Sequence, residues 1–416
     1  MKLSSSILLP RLITGIAVSV AACSVSAEAL TLEELNQKVI AQDQKIRELE
    51  ANQVATADAI EQQGSFSSGL AEWASKTTVG GYGEHHFTNN QGGGEDDQID
   101  AHRFVVFLSH QFNDTLRFFS EIEIEHGFIA DNGCKFDDGN GNGVVDVGES
   151  IDCDNTTSGE VELEQAYIEW DFAKHHSLQI GQFLLPVGIL NETHEPDTFY
   201  GTERNNVEKH IIPSTWWETG VMVSGEIAAG LSYNAAVHSG LNVDTADFVI
   251  RDGRQKSAKA TANDFAFTGR LKYTGIQGLE LAASAQYQED ITQGNAPGDT
   301  HSAVLLESHA IIQAGSFALR ALYAQWDIQG DAVDAVNADS QEGFYVEPSF
   351  KVTEKLGVFA RYSEWERGDK IDQDYDSTDV GLNYWLHPNV VLKADYSDVS
   401  DDAGSDTLNL GVGWSF

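Results

Sequence analysis

The chain is short of proline (7 in 416 residues), of cysteine (3), and of positive charge, with 25 Lys and Arg against 65 Asp and Glu. Each shortage excludes something. A formal net charge of -40 would be repelled by nucleic-acid phosphates, so no nucleic-acid partner is expected. The same acidity suits a surface washed by salt and divalent cations. Outside the N-terminus there is no uninterrupted apolar run of about 18 residues, so no membrane-crossing helix is expected. The few prolines stand beside 38 glycines and 10% aromatic residues, a balance that suits many strands and tight turns better than layered helices.

Residues 1–27 read as a secretory signal. Lys2 and Arg11 give the positive end, residues 12–22 the apolar core, and Val25-Ser26-Ala27 a small-residue cleavage site. The rival reading is a lipoprotein box at Val20-Ala21-Ala22-Cys23. Ordinary cleavage removes Cys23 and leaves Cys134 and Cys153, a pair for an oxidising compartment. Residues 28–63 then read as a coiled-coil helix. Thr31 and Glu34 have capping-box spacing. Leu32, Leu35, Val39, Ile46 and Leu49 fall on a and d positions, with Gln42 the polar d residue. The alternative is a single amphipathic helix lying on the barrel or the membrane. Residues 64–76 are a linker that opens on the flexible run Gly-Ser-Phe-Ser-Ser.

From residue 77 the period becomes two. Ile122 and Ile124 alternate with Glu121, Glu123 and Glu125, and Val161 and Leu163 with Glu162 and Glu164. That is the outward-apolar, inward-polar code of a barrel in lipid. About 16 such segments follow, and short connections such as Asn113-Asp114 alternate with long ones such as 129–158, 185–218 and 240–264. The expected fold is all-β, a transmembrane antiparallel β-barrel over residues 77–416, with both termini and the coiled coil in the periplasm. Its last stretch alternates Leu408, Leu410, Val412, Trp414 and Phe416 with small or polar residues. A C-terminal Phe416 resembles the terminal signature of bacterial outer-membrane barrels, which the barrel-assembly machinery reads. The lipid bilayer of the outer membrane is the implied partner.

The sharpest local motif is D-x-[DN]-x-[DN]-G-x5-E, met by Asp138, Asn140, Asn142, Gly143 and Glu149. Ca²⁺ takes several oxygens, and this spacing folds them inward. Asp138, Asn140 and Asn142 would ligate by side chain, Val144 by its carbonyl, Asp146 directly or through water, and Glu149 with both oxygens. A disulfide between Cys134 and Cys153 would clamp the loop. The ion's role would be structural. The alternative is a solvated acidic loop without an ion.

The loop 185–218 is too long to be only a connector. It carries Pro186, Pro196, Pro213, Phe199-Tyr200-Gly201 and Trp216-Trp217. A loop folded into a water-filled barrel narrows it. The run Gly181-Gln-Phe-Leu-Leu-Pro186-Val-Gly188, followed by that loop, resembles the phosphate-selective porin O and P family. The resemblance implies a constriction loop, a homotrimer, and a passive channel for small hydrophilic solutes, with phosphate or other anions as candidates. Taken alone, Val and Ile at a with Leu at d would lean to two strands. Candidates at the constriction are Arg204, Lys209 and Glu203 on the loop, and Arg103, Glu121 and Glu123 on the wall. Rings of bases favour anions and rings of acids cations, and the chain offers both.

The pairs His85-His86 and His175-His176 point to opposite faces of a strand, so neither pair converges on one ion. No Gly-x-Ser-x-Gly elbow and no phosphate-binding loop is present, so no catalysis is expected and no further cofactor. Against the diffusion channel stand two rivals. One is a barrel enzyme with Ser/His or Asp/His groups at its rim. The other is a Ca²⁺-dependent surface-binding or adhesion barrel without an open channel.

Overall fold

A computed structural model describes residues 72–91, 96–127, 159–296, 300–367, 374–400 and 405–416, and the backbone of 135–136 and 151–152. The signal reading (1–27), the coiled coil (28–63), most of the linker, the Ca²⁺ motif and Cys134 and Cys153 lie outside the described residues. Residues 72–75 form a helical turn that runs into the first strand.

The strands are β1 (Thr77–Asn90), β2 (Gln98–Asn113), β3 (Leu116–Glu125), β4 (Lys135–Phe136), β5 (Ile151–Asp152), β6 (Val161–Ala173), β7 (His176–Leu184), β8 (Trp217–Ala228) and β9 (Leu231–His238). They continue with β10 (Ala266–Ile276), β11 (Leu279–Gln288), β12 (Ala303–Ala314), β13 (Phe317–Ile328), β14 (Ser340–Lys351), β15 (Leu356–Glu366), β16 (Asp374–His387), β17 (Val390–Val399) and β18 (Thr407–Ser415). β4 and β5 form a separate two-stranded ladder; the other sixteen close one antiparallel barrel, each paired with its neighbours in sequence. Closure leaves no free edge, which lipid requires because it offers backbone groups no partners. The seam joins β1 to β18, with His85 opposite Val412. Phe416 completes it: its N–H donates to the Gly81 carbonyl at 2.8 Å, and the Gly81 N–H donates back to its carbonyl at 3.0 Å.

Pleating sorts the side chains. On β3, Ile122 and Ile124 are 44% and 37% exposed, whereas Glu121 and Glu123 are 1% exposed. The outward face carries two aromatic levels. Phe112, Trp170, Phe172, Phe317, Phe350 and Phe416 lie toward the short-turn end, and Tyr287, Tyr362 and Tyr396 toward the loop end. Aromatic rings collect at the two headgroup levels of a bilayer. Seven short turns alternate with eight long connections along the barrel. The alternation expected from the sequence is therefore present throughout.

At the loop side some strands run on past their apolar alternation: β14 begins at Ser340 and β16 at Asp374. These extensions carry Ser, Gln and Asp on strand stretches nearest the long loops, where outward residues need not be apolar, so the period-two hydrophobic signal ends before the hydrogen bonding does.

The buried apolar core lies inside the cylinder, against one side. Leu185, Val187, Leu190, Val207, Ile211, Ile212 and Trp216 from the loop between β7 and β8 pack with Leu241, Val243, Phe248 and Ile250 from the loop between β9 and β10. Both meet Leu305, Leu322, Trp326, Tyr345 and Trp365 on the inner wall of β12 to β15. Trp326 Nε1 donates to the Ile211 carbonyl at 2.9 Å. The inner wall of β1, β2, β3 and β6 is instead charged, with Glu84, His86, Arg103, Glu121, Glu123 and Glu164 all buried.

Candidate functional site at the channel neck

The loop enters the bore because its sequence forces it to. Gly181 sits at φ +136°, and a Cβ there would come within 2.3 Å of the Ala166 carbonyl. Gly188 sits at φ +77°, where a Cβ would lie 2.7 Å from a Glu208 carboxylate oxygen. Only glycine takes such a backbone without strain. Between them Phe183 turns inward, 1% exposed. The Gly-x-Phe-x-x-Pro-x-Gly pattern is thus the hinge that turns the chain off the wall.

Two buried residues hold the loop's shape. Asn191 Nδ2 donates to the carbonyls of Leu185 (2.8 Å) and Trp216 (2.9 Å) and stitches the two ends together. Glu208 lies on a short helix, Asn206–His210, capped by Asn205, whose side chain accepts the Glu208 N–H. Its carboxylate accepts the N–H groups of Ile189 (2.9 Å) and Leu190 (2.6 Å) and the Tyr345 hydroxyl (2.8 Å). Burial pushes this carboxyl upward, while those donors oppose the shift. The residue is therefore a knot joining the loop to β14.

The surface facing the remaining bore is basic. Arg204 Nη1 donates to Thr215 Oγ1 at 3.3 Å. Arg251 donates to the carbonyls of Lys209 and Ser214, and Arg254 to those of Pro213 (3.0 Å) and Thr215 (2.7 Å). Among the described residues Arg204, Lys209, Arg251 and Arg254 make no ion pair with a carboxylate. Carbonyl partners orient a guanidinium and leave its charge uncancelled. Enclosure in the bore, together with Arg251, Arg204 and Arg367, pushes Lys209 downward against the pull of Glu203. Enclosure and the neighbouring arginines likewise lower Arg251 and Arg254, while Glu125 draws both back up. Enclosure is the larger cause in each, and the repulsion among these bases adds to it, as expected of a locally positive patch. His210, stacked on Trp365 with ring centroids 5.9 Å apart, borders the cluster. Enclosure, Lys209, Arg367 and Arg251 push it down to about 3, so it is neutral at ordinary pH.

Opposite stands the acidic wall. Lys256 reaches across to it, bonding Glu160 at 3.0 Å and also Glu162. Glu203 bonds His86 Nδ1 at 2.8 Å; enclosure within the bore would raise its carboxyl, but His102 and His86 hold it well below the usual range. His86 in turn meets Glu84 at 3.2 Å and stacks on His102 at 4.5 Å. The sequence reading that His85 and His86 diverge holds, since His85 is exposed and His86 buried. It overlooked that His86 meets histidine and acid from other elements.

Of the expected constriction residues, Arg204 and Lys209 lie in the basic cluster and Glu203 ties the loop to the wall. Arg103 is not free to meet solute. It is 3% exposed, paired with Glu84, and its Nη2 donates to the His194 carbonyl at 2.8 Å. Glu121 and Glu123 face inward and are buried, and His194 of the inward loop lies 3.8 Å from Glu121. Arg117, Arg270 and Arg361, scattered in sequence, each find carboxylates: Glu169 and Asp171, Glu192, and Asp379 with Glu347. Sequence reasoning missed Arg251 and Arg254 because they belong to a different loop. Their signal was Ile-Arg-Asp-Gly-Arg inside a long connection.

A closed barrel of sixteen strands, greasy outside and charged within, with a loop turned into its bore, is an outer-membrane channel. The chain belongs to the Gram-negative porin family, whose model matches residues 55–404. Its place is the bacterial outer membrane, where solutes diffuse through it. It is 28% identical over 404 residues to a protein of Aquifex aeolicus (strain VF5) described as uncharacterized, covering 84% of each chain. Its fold is similar to OmpF of Salmonella typhi in complex with daunomycin, with TM-score 0.55 and 13% identity, covering 82% of this chain and 97% of that one. It is also similar to the trimer form of in-vitro-folded OmpT, an outer-membrane protein of Vibrio cholerae. There the TM-score is 0.50 and identity 12%, over 82% of this chain and 98% of that one.

Proposed function

We propose that this porin passes small hydrophilic anions by passive diffusion, without chemical change. One observation supports this above the rest: Arg204, Lys209, Arg251 and Arg254 converge from two inward loops with no ion pair among the described residues. An anion crossing the neck relieves their repulsion, whereas a cation adds to it. Three of the acids opposite are engaged with cationic partners. Glu160 and Glu162 hold Lys256, and Glu203 holds His86.

Phosphate is the first anion to compare with chloride, as the porin O and P resemblance suggests. We take the working assembly to be a homotrimer, and the 138–149 loop to be a structural Ca²⁺ site closed by Cys134 and Cys153. The test is the reversal potential of reconstituted channels in planar bilayers under a salt gradient. The reading expects the anion-selective sign, lost in a Lys209→Ala, Arg251→Ala double variant. A cation-selective sign in the unmodified channel refutes it, and so does the absence of conductance steps.

A further inference from the structure

The acidic wall holds a group of polar atoms that the diffusion pathway does not explain. Glu121, Glu123 and Glu164 are 1%, 1% and 0% exposed, and His194 is 3% exposed. Oε1 of Glu121, Oε1 of Glu123, both oxygens of Glu164 and Nε2 of His194 are buried with no hydrogen-bond partner. A native interior rarely leaves one such atom unpaired, and here Glu121, Glu164 and His194 bring ligand atoms within 4.8 Å of one another. The strands supply the carboxylates because glutamates two apart on β3 share a face with Glu164 of β6. The constriction loop supplies the imidazole from above.

The imidazole is oriented. Nδ1 lies 3.2 Å from the Asn191 carbonyl, which can only accept, so Nδ1 carries the proton and donates it. In the neutral ring Nε2 is then a bare lone pair. It points at Glu164 Oε2, 3.5 Å away, and Glu121 Oε1, 3.8 Å away. A lone pair facing two carboxylates at distances too long for hydrogen bonds is repulsive unless something positive sits between. The Glu164 separation suits it, since ligands about 2.0–2.2 Å from a tetrahedral ion lie roughly 3.3–3.6 Å apart, and the Glu121 oxygen lies just beyond that range. Arg103 does not fill the role, because its Nε is spent on Glu84. A second group, Glu123, Glu162 and Glu164, brings its own oxygens within 4.8 Å of one another and shares Glu164.

We propose that Glu121, Glu164 and His194 bind a divalent first-row metal ion of the zinc class, with Glu123 beside it, and that the ion pins the constriction loop to the barrel wall. An imidazole with carboxylates selects zinc-like ions over Ca²⁺ and Mg²⁺, which prefer oxygen alone. The Nδ1–H to carbonyl bond is the outer support such a histidine needs. The ion's two positive charges would also offset the repulsion among acids packed on one patch of wall. The site is separate from the oxygen-only 138–149 motif and from the basic cluster that carries the anion reading.

The test uses the whole folded channel in detergent, carrying Asp138→Asn so that the external loop does not compete. After chelation and desalting it is titrated with Zn²⁺ by calorimetry, with bound metal counted by mass spectrometry. The expected result is one Zn²⁺ per chain, bound at least about tenfold more tightly than Ca²⁺. His194→Ala and Glu164→Gln should each weaken binding by at least about tenfold, with folding of each checked by its heat-modifiable gel mobility. Co²⁺ should give visible absorption bands that His194→Ala removes. No stoichiometric Zn²⁺ in the folded parent overturns the proposal. Binding unchanged in both folded variants overturns it too, and so does an infrared band of protonated carboxyl that Glu164→Gln abolishes, since shared protons would then fill the gap. Ion selectivity is measured separately, so failure here leaves the anion reading standing.

Discussion

Asn191 and Trp216 bond each other in both directions: Asn191 Nδ2 donates to the Trp216 carbonyl at 2.9 Å, and the Trp216 N–H donates to Asn191 Oδ1 at 2.7 Å. One side chain thus mimics a strand across the mouth of the inward loop. Both residues are fully buried, so water cannot replace either bond.

Asn191→Leu keeps the bulk and removes every one of these bonds. The Trp216 N–H is left unpaired in a dry core, at about 1–3 kcal/mol, while the carbonyls of Leu185 and Trp216 keep the N–H groups of Val187 and Leu185. The barrel hydrogen bonds are untouched, so gel mobility of the folded channel should persist. The loop should loosen, seen as noisier single-channel current and a lower voltage threshold for closure. Steps identical to the parent's would show that the loop is held by its apolar packing alone.

Arg251 tests the field at the neck. Its guanidinium is held by the carbonyls of Lys209 and Ser214, so a residue without charge removes a unit charge together with those bonds. In water-like surroundings a unit charge some 6 Å from a passing ion changes its energy by about 0.7 kcal/mol. Its loss weakens the anion's attraction and the cation's repulsion alike, so Arg251→Ala should lower the anion-to-cation permeability ratio roughly tenfold at low salt and less at high salt. Arg251→Lys should restore most of it. The readout is reversal potential at two ionic strengths. A ratio unmoved by either change would place the selective charge elsewhere.

The channel's main lines are plain in the sequence, for physical reasons. Ile122 and Ile124 must meet lipid and Glu121 and Glu123 must not, so a period of two is imposed on every strand. Hairpin direction imposes the alternation of short and long connections. Gly181 and Gly188 mark the hinge because no other residue takes their backbone angles. What the sequence hides is meeting between loops. Arg254 and Arg204 are fifty residues apart in sequence, and His194 finds Glu121 across two strands and a turn. No periodicity links such pairs; only the closed cylinder brings them together. Likewise Arg103 reads as a lumen charge, and only its partners show that it serves to hold His194 and Glu84.

His210 gives a pH prediction with a definite sign. Its ordinary value is near 6.5 and its folded value about 3, lowered by enclosure and then by Lys209, Arg367 and Arg251. A depressed folded value means the stabilisation is whole above pH 6.5, and is lost as pH falls toward 3. Protonation would add a further cation to the basic cluster. The thermal midpoint of the loop transition should fall progressively below pH 6.5, and His210→Gln should flatten that part of the profile. Selectivity between pH 7 and pH 5 should be the same in both forms, because the folded ring stays neutral there. A selectivity step near pH 6 that His210→Gln removes would contradict this.

The external loop offers a test that needs no view of the bore. The ladder β4–β5 pairs Lys135 with Asp152 and Phe136 with Ile151. Cys134 and Cys153 flank these two strands in sequence, and we propose that they form a disulfide. The bridge would then enclose the 138–149 motif and hold its ends at the spacing an ion loop needs. Two results are expected. The unreduced protein should give no free-thiol labelling until denatured and reduced. Ca²⁺ should protect the loop from proteolysis, with protection lost in Glu149→Gln and weakened at least about tenfold in Cys134→Ser, since an open loop must lose more conformational freedom on closing. Cleavage that is indifferent to Ca²⁺ in the oxidised protein would make this loop an ordinary acidic surface segment. That outcome would leave the selectivity measurements at the neck to stand or fall by themselves.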